Sequence, residues 1–367
     1  EYLLVTGDES ILDQSAGFVE APPLAEDEHE RYGVVEKNGS ATLYDHCCLA
    51  VERTLRFGPH GLPLIGGGDW NDGMNLVGVR GRGESVWLGW FILVILRKFL
   101  PYMRRRGDEE RARRWQELGE KILEAIERDG WDGAWYRRAY TDEGTALGSA
   151  AVEECRIDSL SQTWAVFCGE GDLERARLAM EQAKKFLWRR DERLFLLLAP
   201  PFDKGEVNPG YIRGYVPGVR ENGGQYTHAA IWGAAALAIL GEHKEAWRLM
   251  HDLSPVNHTR SAFECGHYRL EPYLLAADIY GGEHLGRGGW SGYTGAASWM
   301  HKVILEQLLG FEKRGDKLRL SPRLPEGAEF TLTYRYGSSK YVFRVKEGGG
   351  AKEIVLVDDG REHEIEV

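Results

Sequence analysis

The stretch Ile157-Asp158-Ser159-Leu160-Ser161-Gln162-Thr163-Trp164-Ala165-Val166-Phe167, followed across Gly169-Glu170-Gly171-Asp172 by Leu173 to Phe186, reads as two helices folded back on a glycine turn. The same unit recurs outward from it. Tyr226 to Leu240 and Lys244 to Leu253 form another pair across Gly241-Glu242. Upstream, Glu84 to Met103 reads as a long, strongly apolar helix. Glu109 to Arg128 is amphipathic, with Trp115, Leu118, Ile122, Ala125 and Ile126 on one face. Leu43 to Phe57 has helical spacing and is stopped by Gly58-Pro59-His60-Gly61. Glu271 to Ile279 is expected to be helical, and Tyr293 to Leu309 is the last helix, ended by Gly310.

Antiparallel helix pairs with long glycine- and aromatic-rich loops on alternate connections predict a mainly α fold, an (α/α)6 barrel or toroid. In such a ring the inter-pair loops converge on one mouth, where polar side chains meet. The legible helices are fewer than a closed six-hairpin ring needs. Glu1 to Thr6 reads as the last turn of a helix closed by Gly7, so an N-terminally incomplete barrel is expected. Ser15 to Gly39 is polar and reads as a long loop. From Lys317 the period changes to two, in Phe330 to Tyr334, Tyr341 to Val345, Glu353 to Val357 and His363 to Val367. The expected division is a helical barrel portion over 1–316 and a small antiparallel, sandwich-like β unit over 317–367.

Composition narrows the function classes. Hydrophobic residues make up 43% of the 367. The longest apolar run, Val86 to Leu96, stops at Arg97-Lys98, short of the roughly 20 residues of a membrane span. Glu1 to Val5 has neither the basic start nor the cleavage-type ending of a secretory leader. The net charge of −11 argues against nucleic-acid or anionic-membrane binding. The five cysteines show no metal-ligand spacing and read as reduced thiols of a cytoplasmic protein. Twelve Trp and sixteen Tyr suit carbohydrate, whose C–H faces stack on rings, although a large helical core uses them too.

Chemistry gathers in the loops. Gly66-Gly67-Gly68-Asp69-Trp70-Asn71-Asp72-Gly73-Met74-Asn75 sets two carboxylates and an indole in glycine-rich backbone. Alone it is equally an Asp/Asn-rich turn. Arg220-Glu221-Asn222-Gly223-Gly224 leads towards His228, one turn into an apolar helix. A lone histidine there is either an anion contact or a packing residue. Glu264 to Arg269 with Glu271-Pro272-Tyr273 makes a third cluster. At Arg287 to Ala297 small residues open a helix, and Thr294 adds a hydroxyl to its free N–H groups. That is a generic anion site, or simply a cap. Asp72 and Glu221 together would suit glycosyl chemistry, with capping or sugar binding as the alternative for Glu221. No histidine shows metal-ligand spacing.

Several long segments in order resemble the family 94 glycoside phosphorylases, the cellobiose and chitobiose phosphorylase group. They are Gly67 to Asn75, Gly81-Arg82-Gly83-Glu84-Ser85-Val86-Trp87-Leu88, Cys155 to Ser159, Glu221 to Gly224 with His228, Glu271-Pro272-Tyr273, and Gly288-Gly289-Trp290 through Tyr293-Thr294-Gly295. The Gly81 to Leu88 run and Gly286 to Trp290 are most similar to the C-terminal phosphorylase-like region of cyclic β-1,2-glucan synthases and to 1,2-β-oligoglucan phosphorylases. The resemblance implies an (α/α)6 barrel with β domains. It implies inverting phosphorolysis of a β-linked glucan, the β-1,2 polymer in this subgroup, with release of α-glucose 1-phosphate, and the reverse synthesis.

By that resemblance Asp72 is the general acid and Trp70 lines the sugar site beside it. Arg220, where the disaccharide enzymes carry Lys, and Glu221 contact substrate hydroxyls. His228, Thr294 and Gly295 hold phosphate, which acts as co-substrate, with no metal and no other cofactor. Expected partners are the glucan or oligosaccharide, phosphate, an upstream polypeptide or domain completing the barrel, and a second copy in a homodimer. The expected location is the cytoplasm, or the cytoplasmic part of a membrane-bound synthase. Two departures stand out: the segment that grips the non-reducing sugar in the family has no match here, and a Gln expected just after Glu271-Pro272-Tyr273 is replaced near Ala276-Ala277. An inverting hydrolase, with Glu221 activating water, and a non-catalytic glucan-binding fragment are the alternatives.

Overall fold

The computed structural model describes residues 1–22, 31–346 and 348–367. Its helices are α1 (Tyr2–Thr6), α2 (Leu43–Thr54), α3 (Val86–Arg105), α4 (Glu109–Ala125) and α5 (Ser159–Cys168). They continue with α6 (Leu173–Leu187), α7 (Thr227–Ile239), α8 (His243–Leu253), α9 (Ala262–Tyr268) and α10 (Thr294–Lys302). The central hairpin is punctuated by its own side chains. Asp158 caps α5 by accepting the Leu160 N–H, Gly169 closes it at φ 64°, and Asp172 caps α6 through the Glu174 and Arg175 N–H groups.

The pairs α3/α4, α5/α6 and α7/α8 pack as hairpins, while α3 lies beside α5, α5 beside α7, and α7 beside α10. Burial explains which helix of each pair is inside. Helix α7 buries every residue but His228 and Ile239, whereas α6 buries only Ala176, Ala179, Met180, Ala183 and Leu187. A helix apolar all round belongs within, and a striped one belongs outside. Helices α3, α5, α7 and α10 each give one tryptophan to a chain of tilted rings: Trp87 to Trp164 (5.7 Å), Trp164 to Trp232 (5.2 Å), Trp232 to Trp299 (5.5 Å). Edge-to-face contacts of this kind suit the ring quadrupole. Short two-residue strands, Glu84–Ser85, Ile157–Asp158 and Gln225–Tyr226, lead directly into α3, α5 and α7. The loops before them therefore gather at the N-terminal ends of the inner helices, and these are the loops that carry the polar clusters.

By length and composition α3 is long enough and apolar enough to cross a membrane, because the apolar character continues past Arg97-Lys98 through Phe99-Leu100 and Tyr102-Met103. This corrects the shorter run expected from the sequence. Half of its most apolar window is buried in the protein, including Trp90, Ile92, Leu93 and Leu96.

Other expectations are also revised. The long loop over Ser15 to Gly39 is in part a strand pair, β1 (Ser15–Glu20) with β2 (Glu36–Thr42), and residues 23–30 lie outside the description. Glu271 to Ile279 is not helical. Asp278–Ile279 pairs with Gln225–Tyr226, and the helix sits earlier, at α9, capped by Ser261. A short apolar run such as Leu274-Leu275-Ala276-Ala277 fits either period, and here a strand partner decided.

The last part of the chain holds β3 (Phe311–Arg314), β4 (Lys317–Leu320), β5 (Phe330–Tyr336), β6 (Ser339–Val345), β7 (Lys352–Val355) and β8 (Glu362–Glu366). Two three-stranded sheets, β3-β4-β7 and β5-β6-β8, enclose Leu318, Leu320, Tyr341, Phe343, Val345 and Leu356. They are not wholly antiparallel: β8 runs parallel to β6. Strands β7 and β8 belong to different sheets, so Asp358-Asp359-Gly360 is a crossing rather than a hairpin turn. Pairing also begins at Phe311, opposite Leu320, ahead of the boundary expected at 317.

Candidate functional site

The Gly66 to Asn75 loop is held from beneath by one buried cation. Arg138, fully buried, gives Nη1 and Nη2 to the two oxygens of Asp69, at 2.6 Å each. Ser85 Oγ donates to the same carboxylate at 2.6 Å. Burial alone would push the Asp69 carboxyl up, but the Arg138 charge and these hydrogen bonds hold it below the usual carboxylate range. Asp158 accepts the Leu160 N–H and has Arg138 Nε only as an ion-pair contact at 3.4 Å, so burial prevails and pushes it up to about 6. The Asn71 N–H then binds Asp69 Oδ1, and the Gly73 N–H binds Asn71 Oδ1, which starts a single 3₁₀ turn at Asp72. Gly68, at φ 123°, lies so close to Asp72 that an added Cβ would stand 3.1 Å from the Asp72 Cα. Asp69 is thus scaffold, and Asp72 is presented to solvent.

Around Asp72 the contacts close a circuit through loops far apart in sequence. The turn Tyr211–Gly214 packs on the Asp72 turn, with Ile212 against Gly73 and the Tyr211 N–H on Asn75 Oδ1 (3.0 Å). Burial raises the Tyr211 phenol, and the Asp72 carboxylate it faces raises it further. Tyr211 meets Tyr215 edge-on at 6.2 Å, and the Arg220 guanidinium lies over Tyr215 at 5.3 Å and over Trp290 at 5.0 Å. Arg220 Nε donates to Glu221 Oε2 at 3.2 Å. Trp290 meets Tyr293 at 6.2 Å, and Tyr293 precedes α10, which starts without a side-chain cap. His228 Nδ1 stands 3.3 Å from where a Cβ on Gly295 would sit, and the His228 ring packs 5.4 Å from Trp70. Trp70 leads back to Asp72.

The candidate residues Asp72, Trp70, Arg220, Glu221, His228, Thr294 and Gly295 therefore share one region at the starts of α7 and α10. Trp70 turns towards Tyr226, His228 and Trp232, while Asp72 is exposed. Trp70 therefore packs among these rings and does not cover Asp72. Burial among the rings pushes His228 down to about 4, and its Nε2 has no hydrogen-bond partner. It is a neutral imidazole whose Nδ1 edge, not the unpartnered Nε2, faces a helix start that exposes N–H groups.

Three contributors were not singled out from the sequence. Tyr211 and Tyr215 lie in the segment Leu194 to Val219, which is rich in Pro, Gly and Tyr and shows no helical or strand period. Asp278 was assigned to a helix. It is buried, and accepts the Arg220 N–H (3.0 Å) and the Trp290 N–H (3.2 Å), tying two walls of the site together. The signal available was Asp278-Ile279-Tyr280-Gly281-Gly282, a strand end running into a glycine turn.

A cavity of about 870 Å³ lies elsewhere, bordered by Leu76, Arg80, Asp142, Glu154 and Lys204. Two of its acids are already used, Asp142 by the N–H groups of Arg80, Arg82 and Gly83, and Glu154 by those of Asp203, Lys204 and Gly205. The candidate site is edged instead by exposed rings, Tyr211 at 47% and Trp290 at 59%. Among the described residues no group of His, Cys, Asp and Glu is placed to hold a metal ion.

Comparison with known proteins identifies the family. Residues 7–310 match the catalytic domain of the glycosyl hydrolase 94 superfamily. A cyclic β-(1,2)-glucan synthase, NdvB, of Rhizobium meliloti (strain 1021) is 49% identical over 329 residues, 88% of this chain and 12% of that protein. A solabiose phosphorylase of Paenibacillus borealis is 30% identical, over 98% of this chain and 45% of that one. An N,N'-diacetylchitobiose phosphorylase of Vibrio proteolyticus is 27% identical, over 97% and 42%. The chain thus spans less than half the length of these relatives. Among solved structures, one titled sialidase superposes with a TM-score of 0.56 over 79% of this chain and 26% of that one, at 14% identity, a likeness of fold alone.

Proposed function

The chain belongs to the glycosyl hydrolase 94 superfamily, and from that premise and the geometry of the site we propose that it performs inverting phosphorolysis of a β-linked glucan and the reverse synthesis. Asp72 donates its proton to the glycosidic oxygen as the C–O bond breaks. Phosphate attacks the anomeric carbon from the opposite face, so the products are α-glucose 1-phosphate and a glucan one unit shorter. An anionic nucleophile needs no carboxylate base, which accounts for one acid where an inverting hydrolase uses two. Thr294, Gly295 and His228 position the phosphate, and the α10 N-terminus offsets its charge. Trp70 faces the sugar, and Arg220 with Glu221 meets its hydroxyls.

The observation that carries this reading is the circuit of contacts joining Asp72 to an uncapped helix start and the His228 ring against it. Because Asp72 is exposed, its desolvation comes with the bound sugar rather than from Trp70. Glu221 is engaged by Arg220, which weighs against its serving as the base of a hydrolase. β-1,2-Glucan is the first substrate to try, since the relative at 49% identity is named for that linkage.

The hairpin arc is consistent with part of an (α/α)6 barrel, and the two C-terminal sheets with a separate β unit. One observation favours a second reading, a glucan-binding part of a larger enzyme: the chain covers 12% of that same relative. Incubation with β-1,2-glucan or cellobiose, with and without phosphate, separates the two. Phosphate-dependent glucose 1-phosphate that disappears in Asp72→Asn is the expected result. Wild-type rates in Asp72→Asn, or glucose released without phosphate, would overturn the assignment.

A further inference from the structure

Beyond the proposed reaction, we infer that the chain carries a second carbohydrate pocket, away from Asp72. It takes one neutral sugar unit of a glucan between Phe263, the stacked rings of His258 and Tyr268, and the carboxylates of Asp191 and Glu192.

The pocket measures about 220 Å³, below the roughly 300–1,000 Å³ of sites for larger ligands, so it suits one ring rather than a chain of them. None of its lining residues belongs to the circuit around Asp72. It nonetheless lies at the same end of the hairpins. Helices α6 and α8 fold back on α5 and α7, so their C-terminal ends lie level with the N-terminal ends of those inner helices. The turn 190–193 follows α6, and His258 and α9 follow α8. One segment serves both places: Leu285 and Gly286 border the pocket, the Gly288 N–H binds the Tyr268 carbonyl at 2.8 Å, and Trp290 stands at the Asp72 site.

The rings leave flat apolar surface open. His258 and Tyr268, both buried, stack at 5.1 Å and 16° to form the floor. Phe263 is 83% exposed, and among the described residues no cation lies over its ring. Its ring neighbour is His267, parallel within 3° at 6.3 Å, and His267 rests against Gly286, where a Cβ would meet its Nε2 at 2.6 Å. Such faces suit sugar C–H groups.

The polar atoms select the ligand. His258 Nε2 lies 2.7 Å from the Asp252 carbonyl, which can only accept, so Nε2 carries the hydrogen and Nδ1 is left as an acceptor. Burial holds this ring below the ordinary imidazole value, hence neutral. The Asp191 and Glu192 carboxylates make no hydrogen bond or ion pair among the described residues. Arg193 is committed, Nη1 to the Asn257 carbonyl and Nη2 to Glu264 at 3.0 Å. Acceptors are therefore free and the guanidinium is not. Such a pocket rejects phosphates and carboxylates and takes donors, which sugar hydroxyls supply. An ammonium ion would also donate, but Asp191 and Glu192 are exposed, and screened ion pairs contribute little beside the contact with the rings.

The test is electrophoresis through gels with and without β-1,2-glucan, free of phosphate. Wild type should be retarded. Phe263→Ala, or Asp191→Asn with Glu192→Gln, should raise the dissociation constant read from the retardation about threefold to tenfold, the range of one aromatic contact. These side chains are exposed, so their replacement leaves the fold intact. Their kcat/KM for phosphorolysis of a β-1,2-linked disaccharide should equal that of wild type, because that substrate fills the Asp72 site alone. Retardation unchanged in both variants overturns the inference. A loss of disaccharide turnover matching the loss of retardation would place the effect at Asp72 and likewise overturn it. Relief of the retardation by choline but not by glucose would mean that an organic cation fits the pocket, and would overturn the assignment of a sugar. If no glucose 1-phosphate forms at all, retardation that is lost in Phe263→Ala still supports the pocket, so the two readings fail separately.

Discussion

At the residue scale, His228 carries the clearest electrostatic signature of the site. Its ring is buried against Trp70, Trp232 and Gly295 and is pushed down to about 4. The unfolded chain therefore takes up a proton near the ordinary imidazole value before the folded one does. The stability associated with this residue is present above about 6.5 and is lost as the pH falls through about 4. A phosphate at α10 favours the imidazolium, so phosphate binding should be accompanied by proton uptake below neutral pH. Calorimetry in buffers of different ionisation enthalpy should detect it. His228→Asn should abolish the uptake and raise the KM for phosphate about tenfold, with Thr294→Val giving a smaller effect. Equal damage to the KM for glucan would show that these residues do not serve phosphate in particular. Asp72, His228 and Thr294 were legible because each sits in a glycine-rich stretch abutting an apolar helix. Tyr211 and Asp278 were not, because what recruits them comes from remote segments: Asn75 for one, Arg220 and Trp290 for the other.

At the scale of elements, the candidate acid depends on a clamp that the sequence did not disclose. Arg138 follows the short aromatic segment after α4, a stretch with no visible chemistry. Its partners Asp69 and Asp158 belong to the acid loop and to the α5 cap. Removing Asp69 leaves a buried guanidinium with its weaker partner, so Asp69→Asn should cost about 3–5 kcal/mol and loosen the Asp72 turn. Denaturant unfolding measures the first, and lost activity at temperatures where the variant stays folded measures the second. Asp158→Asn has a different expected outcome, since asparagine still caps α5. With its folded value raised to about 6, Asp158 favours the folded state fully below about 3.8, and that benefit is lost as the pH rises through about 6. Wild-type stability relative to Asp158→Asn should therefore decline from about pH 4 to pH 6 and level off above. A difference that grows with rising pH would mean that Asp158 is held ionised. The hairpins themselves were legible throughout, because caps such as Asp172 and stops such as Gly169 lie next to the periods they bound. The Asp278–Ile279 strand was not, because its hydrogen bonds are made with residues 225–226.

For the whole molecule, the question is how many cooperative units the chain contains. The helical arc buries one continuous aromatic core, whereas the two C-terminal sheets bury a core of their own around Tyr341 and Phe343. Hydrogen bonds join them: Lys313 Nζ to the Val5 carbonyl, Gly315 N–H to the Leu4 carbonyl, and Trp247 Nε1 to the Arg323 carbonyl. Separate cores joined by polar contacts unfold as separate units more readily than one shared core does. Hydrogen exchange at rising denaturant should then show 330–345 opening at a lower free energy than 160–166 and 229–238, with a steeper denaturant dependence for the helical set, which exposes more surface. Lys313→Ala and Trp247→Phe each remove one of the linking bonds and should widen the gap without shifting the helical set. Coincident exchange of all three segments would mean instead that the sheets are an integral wall of the helical body. Deleting them would then unfold the loops that carry Asp72 and His228.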